Sequence, residues 1–205
     1  MKKTINFLLA GVGGQGTILA SDVLVNVGLA AGYQAKQAEV HGMSQRGGSV
    51  TSHVRWGEVI HSPLIGAGEV DVLLAFEKLE ALRSLNALRP GGLALINTQV
   101  FEPLGVIAGE QQYPSDEFLH EAFSKMTPRI HYISGEQIAE SLENPRVANV
   151  VLLGALAALL ERDGLASPGL TDETWLQVIG ERVPKKHVEL NRGAFQAGWN
   201  TVKPD

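Results

Sequence analysis

Residues 5–10 form an almost continuous apolar run, the pattern of a strand covered on both faces. Beyond a glycine cluster, Ile18, Leu19, Val23, Leu24 and Val27 recur at helical spacing, and Gly32 marks the exit. Residues 33–38 then return as a second strand and complete a βαβ-like unit. Residues 70–76 are another apolar strand. Residues 77–88 have helix-forming composition, and Pro90-Gly91-Gly92 stops that helix before a strand at 93–97. This alternation predicts an α/β domain with a mostly parallel sheet.

Two stretches depart from it. Between 49 and 56, Val50, Val54 and Trp56 alternate with Thr51, His53 and Arg55, and Gly57-Glu58 and Val59-Ile60 follow, which reads as a strand turning into a short hairpin. Residues 103–114 read as a loop or an irregular strand. Farther on, 117–126 is predicted helical, 130–133 a strand, and most of 147–162 and 172–198 C-terminal helices, the last divided at Pro184. No linker separates a second unit, so residues 1–205 are expected to form a single domain.

Composition narrows the functions open to such a fold. The 205 residues are 44% hydrophobic with a formal charge of -5, too apolar for a disordered chain and too acidic for an electrostatic nucleic-acid binder. Cysteine is absent, which excludes disulfides, a thiolate nucleophile and thiolate ligands for an iron–sulfur cluster. The longest uncharged stretch, 147–160, contains Asn149 and Gly154 and is shorter than the roughly 20 apolar residues of a membrane span. Lys2 and Lys3 precede a short apolar run as in a secretory leader, but the glycines that follow break it, and it reads as the first strand. A soluble cytoplasmic protein is expected.

The candidate chemistry lies in two loops. Gly11-Val12-Gly13-Gly14-Gln15-Gly16-Thr17 fits GxGxxG between a strand and a helix, where free N–H groups at the helix start attract phosphate and Thr17 adds a hydroxyl. A dinucleotide site would place an acidic residue about 20 positions on, and Glu39 stands near that point. A stand-alone NAD(P)-dependent dehydrogenase therefore stays open, as does a non-catalytic scaffold whose glycine loops serve packing and partner docking. The second loop, Glu39-Val40-His41-Gly42-Met43-Ser44-Gln45-Arg46-Gly47-Gly48-Ser49, joins two predicted strands, and Arg46 suits phosphate or carboxylate. His53 and Arg55, on the polar side of their strand, could face the same ligand or a partner. The remaining histidines are scattered without metal-ligand spacing, so no metal site is expected. Asn149, inside an apolar helix, needs hydrogen-bond partners. The sequence singles out no catalytic residue.

These two loops, in this order, together with Phe76-Glu77, Asn149…Leu153-Gly154-Ala155 and Asn191…Ala194-Phe195…Gly198, span nearly the whole chain. Through them the chain resembles the γ domain of the 2-oxoacid:ferredoxin oxidoreductases, and within that family the β subunits that act on indolepyruvate. The resemblance implies a Rossmann-like three-layer domain. It implies the oxidative decarboxylation of an aryl 2-oxo acid to an acyl-CoA, with electrons passed to ferredoxin. Pyruvate, 2-oxoglutarate and 2-oxoisovalerate are the alternative substrates within the family. Thiamine diphosphate and iron–sulfur clusters are then expected in a large α subunit and not in this chain, which carries neither cysteine nor a GDG-type motif. By resemblance, coenzyme A is the co-substrate, held at Gly11, Gly13, Gly14, Gln15, Gly16 and Thr17 in the first loop and at Ser44, Gln45, Arg46, Gly47 and Gly48 in the second. Relatives can carry lysines where this chain has Gln45 and Arg46, so one positive charge is lost. No nucleic-acid or membrane partner is implied.

Overall fold

In a computed structural model, which describes residues 4–42, 47–165 and 170–202, the chain builds one six-stranded sheet with helices on both faces. The elements in chain order are β1 (Ile5–Val12), α1 (Thr17–Ala30), β2 (Gln34–His41), β3 (Ser49–Gly57), β4 (Val70–Ala75), α2 (Lys78–Arg83), β5 (Leu88–Asn97), α3 (Leu104–Ile107), α4 (Asp116–Ser124), β6 (Ile130–Ile133), α5 (Gly135–Ser141), α6 (Ala148–Arg162), α7 (Asp172–Arg182) and α8 (Val188–Asn200). The spatial strand order is β2-β3-β1-β4-β5-β6. β1, β4, β5 and β6 are parallel, while β3 runs antiparallel to both of its neighbours.

The apolar run of β1 follows from its central place. Phe7 and Leu9 enter the core shared with α1, α6, α7 and α8, and Leu8 and Ala10 enter the core beneath α2 and α4. A strand wedged between two helical layers has no face left for polar residues. α6 is buried from Asn149 to Leu160 because it lies between the sheet and α8, so it is apolar all round. Trp56 of β3 fixes α1 to the sheet: its Nε1 donates to the Leu24 carbonyl at 3.0 Å, and the rings of Phe7 and Tyr33 flank it.

Five expectations are corrected. The hairpin partner of β3 is β2, paired from Gln34↔Gly57 to His41↔Val50, whereas residues 59–60 form no strand. Alternation in β3 reported that its two faces differ but carried no information about which strand lies beside it. For the same reason β1, α1 and β2 are not a simple βαβ unit, since β3 lies between the two strands. The helix predicted for 77–88 ends at Arg83, and β5 starts at Leu88, so Arg89 to Gly92 belong to a strand. There the register against β4 jumps between Val70↔Leu88 and Val72↔Leu93, an irregularity that tolerates Pro90 and Gly91. Ile18, expected on the buried stripe of α1, is 56% exposed. Residues 103–114 contain the short helix α3 and no strand.

No helix among the described residues is long and apolar enough to cross a membrane.

Candidate functional site

Sheet topology places the site. α1 leaves β1 toward β2 on one face, while α2 leads from β4 to β5 on the other, so the chain diverges between β1 and β4. Crevices outside the carboxyl ends of strands form at such a divergence. The first glycine loop sits there, linking Val12 of β1 to Thr17 of α1. Gly14 and Gly16 have φ of +110° and +80°, in the left-handed region that favours glycine. A Cβ at Gly16 would also lie 2.6 Å from Asn149 Nδ2, an amide that donates to the Gly16 carbonyl at 3.4 Å. The buried Asn149 thus finds the partner its position demanded, and it closes the start of α6 onto the loop. Gly16 is the N-cap of α1 and supplies no side-chain acceptor, which leaves the first-turn N–H groups available to an anion.

Gln15 braces this loop. Its Oε1 accepts the Val12 N–H at 2.7 Å, and its Nε2 donates to the Phe76 carbonyl at 3.1 Å and to Gln99 Oε1. The side chain therefore ties β1 to the ends of β4 and β5 and is committed to the fold. Thr17, also a candidate, is buried beside Gly11, with its hydroxyl-bearing side chain on the wall of a neighbouring cleft.

The second loop returns to the same edge because β2 and β3 form a hairpin. The Gly13 N–H donates to the Gly48 carbonyl at 2.9 Å, and the Gly47 N–H donates to the Gly13 carbonyl at 3.4 Å. Two loops more than thirty residues apart in sequence are thereby joined backbone to backbone. Ser44, Gln45 and Arg46 lie outside the described residues.

Clefts open on both sides of the first loop. One surrounds the divergence point, a space of about 490 Å³ bounded by Gly14–Gly16, Phe76, Asn97, Glu136, Arg146 and Asn149. The other, about 520 Å³, lies toward β2 and is lined by Gly13, Thr17, Glu39, His41 and Val50. Glu39 and His41 stand on the same face of β2, two positions apart, and both side chains are exposed. His53 and Arg55 reach neither cleft. His53 Nδ1 accepts the Ile65 N–H at 3.2 Å, a role for the neutral ring, and burial lowers its pKa. Arg55 donates to Asn6 Oδ1 at 2.9 Å and to the carbonyls of Ser62 and Leu64 at 3.0 and 3.2 Å. Both hold the segment after β3 against the sheet. Among the described residues there is no group of three His, Cys, Asp or Glu side chains that could hold a metal ion.

Residues 6–201 match the family model described as pyruvate ferredoxin/flavodoxin oxidoreductase. The chain belongs to this family. It is 37% identical over 204 residues to the indolepyruvate oxidoreductase subunit IorB of Thermococcus kodakarensis, covering 98% of this chain and 97% of that one. Its identity to the IorB subunit of Archaeoglobus fulgidus is 38% over 197 residues, covering 96% and 94% of the two chains. Among solved structures, the γ subunit of the keto/oxoacid ferredoxin oxidoreductase of Geobacter sulfurreducens superposes with a TM-score of 0.67 at 26% identity, covering 96% of each chain.

Within this member of the pyruvate ferredoxin/flavodoxin oxidoreductase family, the Phe76-Glu77 pair noted in sequence has a structural basis. Glu77 is 1% exposed and N-caps α2 through the Glu80 N–H at 2.9 Å. Its other oxygen accepts the Phe101 N–H at 3.1 Å and the Tyr113 hydroxyl. Burial first, then the bond to Glu77 and its negative charge, raise the Tyr113 pKa well above the usual tyrosine range, so the hydroxyl stays a donor. Sequence reading missed Asn97, Glu136 and Arg146 as cleft residues. Asn97 and Glu136 come from different elements that only the sheet brings together, with Asn97 Nδ2 donating to Glu136 Oε1 at 2.9 Å. Arg146 belongs to a short 3-10 turn before α6, and its one local signal was a cation adjoining the long uncharged stretch 147–160.

Proposed function

We propose that this chain is the small subunit of a heteromeric indolepyruvate ferredoxin oxidoreductase, with residues 1–205 acting as one γ-type domain that binds coenzyme A and completes an active site housed largely in a large α subunit. The proposed reaction converts an aryl 2-oxo acid to carbon dioxide and an acyl-CoA and passes the electrons to ferredoxin, the chemistry of class 1.2.7.8. Identity to two IorB subunits over nearly their full lengths supports the substrate assignment. The absence of cysteine supports placing the iron–sulfur clusters in the α subunit, and the lack of a GDG-type motif supports placing thiamine diphosphate there as well. The reading is carried by the hydrogen-bonded pair of glycine loops beside an uncapped helix start, a backbone cradle suited to the phosphates of CoA. The chain's own contribution would be to bind the carrier and orient its thiol toward the acyl group formed on the α subunit.

Two experiments test this. The purified chain, supplied with thiamine diphosphate, indolepyruvate, CoA and ferredoxin, is expected to give no turnover, and co-expression with the α subunit to restore it. Turnover by the chain alone contradicts the assignment. Titration of the assembled complex by calorimetry is expected to show binding of CoA and none of NADH; the reverse pattern selects the dehydrogenase reading that Glu39 left open. In the same assay Gly16→Ala is expected to weaken CoA binding about tenfold or more, because a Cβ forces the left-handed backbone to relax and displaces Asn149 from the loop. An unchanged Kd removes the first loop from the site.

A further inference from the structure

The cleft at the divergence point contains a cation that no acceptor among the described residues engages. Nine arginines occur in the sequence, and all but Arg46 are described. Of these eight, Arg83, Arg89, Arg129, Arg162, Arg182 and Arg192 pair with carboxylates. Arg55 donates to an amide oxygen and two carbonyls. Arg146 is the one described arginine whose guanidinium has no acceptor. Its backbone is nonetheless fixed: the Arg146 N–H donates to Asn144 Oδ1 at 3.1 Å, and Val147 beside it is buried. An anchored backbone carrying an unengaged guanidinium on the wall of a cleft is an arrangement for an incoming anion.

Opposite charges in the same cleft decide what kind of anion fits. Glu136 is the other charged group on its walls, and its Oε1 is already held by Asn97 while Oε2 has no partner among the described residues. The walls between are apolar at Leu19, Phe76 and Leu152. A ligand matching this layout has an anionic group at Arg146 and Gly14–Gly16, an apolar or neutral body, and an N–H or O–H donor for Glu136. A phosphorylated carrier with amide groups along its arm meets each requirement.

We propose that Arg146 is a further binding residue of the site, taking a phosphate of CoA at the rim of this cleft while an amide N–H of the pantetheine arm donates to Glu136. This deepens the CoA reading above and rests on it. The assignment gives a role to the turn before α6 that neither glycine loop supplies, and it places the carrier on the β4 side of the first loop.

The test is calorimetric titration of the assembled complex with CoA and, separately, with pantetheine, which lacks the phosphates. Arg146→Gln is expected to raise the Kd for CoA about tenfold, the usual cost of one charge-assisted hydrogen bond, and to leave pantetheine binding unchanged. Arg146→Lys, which keeps the charge without the forked donor, is expected to recover part of the loss. The CoA Kd of the native complex should rise more steeply with salt than that of Arg146→Gln. Should Arg146→Gln prove unstable, the Arg146→Lys titration and the salt dependence of the native complex carry the test. Equal CoA affinity in native and both variant complexes overturns the role of Arg146 and leaves the CoA reading standing. A native complex that binds no CoA overturns both.

Discussion

Gly198→Ala is expected to lower the melting temperature of the chain by about 10 °C, a loss of roughly 3 kcal/mol spread over a domain of this size. A Cβ at Gly198 of α8 would lie 1.8 Å from the Val151 carbonyl oxygen of α6, and one at Gly154 of α6 would lie 2.0 Å from the Phe195 carbonyl oxygen of α8. Both obstacles are main chain, so no rotamer change relieves them and the helices must separate. Alanine improves helix propensity by up to about 1 kcal/mol, so propensity alone predicts the opposite sign. That contrast makes the experiment decisive. A Gly198→Ala chain melting at or above the native temperature would refute close backbone packing of these helices. Gly154→Ala is expected to behave alike, and the double variant to cost less than the sum, because once the helices have moved apart the second methyl meets little resistance.

Glu77→Ala is expected to cost about 3 kcal/mol in chemical denaturation and to expose the segment around Phe101 to proteolysis. The carboxyl group serves three donors at once: the Glu80 N–H, the Phe101 N–H and the Tyr113 hydroxyl. Removing it deletes the cap of α2, leaving the Glu80 N–H without its acceptor in a buried place and the other two donors without theirs in a part-buried one. The Tyr113 hydroxyl also accepts the Leu79 N–H at 3.1 Å, so the loss propagates into the first turn of α2. Glu77→Gln keeps an acceptor for the helix cap but presents an NH2 group to other donors, and an intermediate loss is expected. If Glu77→Ala unfolds at the native denaturant concentration and resists protease equally, the hub has no energetic weight. The site feels this hub because the preceding residue, Phe76, offers its carbonyl to Gln15 and to Asn97.

How far the sequence foretold this molecule depended on whether the deciding interaction was local. The apolar run of β1 and the break at Pro184 were legible, because burial on both faces and proline sterics leave a direct mark on composition, and the strand at 130–133 was legible from its short run of β-branched and aromatic residues. The two loops were legible as well, since their glycines are required by backbone shape. The place of β3 between β1 and β2 was not: alternating residues report which face is covered, and pairing partners are chosen by tertiary packing. β5 was shortened in prediction because Pro90 and Gly91 mark turns unless an irregular register absorbs them. The cleft residues Asn97, Glu136 and Arg146 were illegible for a different reason. Each is an ordinary polar residue in its own segment and gains meaning only where strand ends and helix starts converge. The resemblance carried the second loop farther than its residue types alone could, by linking it to the first. The bonds between Gly13, Gly47 and Gly48 give that link its physical form.

The reversed direction of β3 has a consequence for how such proteins diversify. Since the hairpin brings Gly47 and Gly48 back to Gly13 of the first glycine loop, the chain between His41 and Gly47 can be lengthened while every rung of the ladder from Gln34↔Gly57 to His41↔Val50 keeps its partner. If the loop meets the carrier as proposed above, insertions there would change its contacts with the foundation beneath left intact.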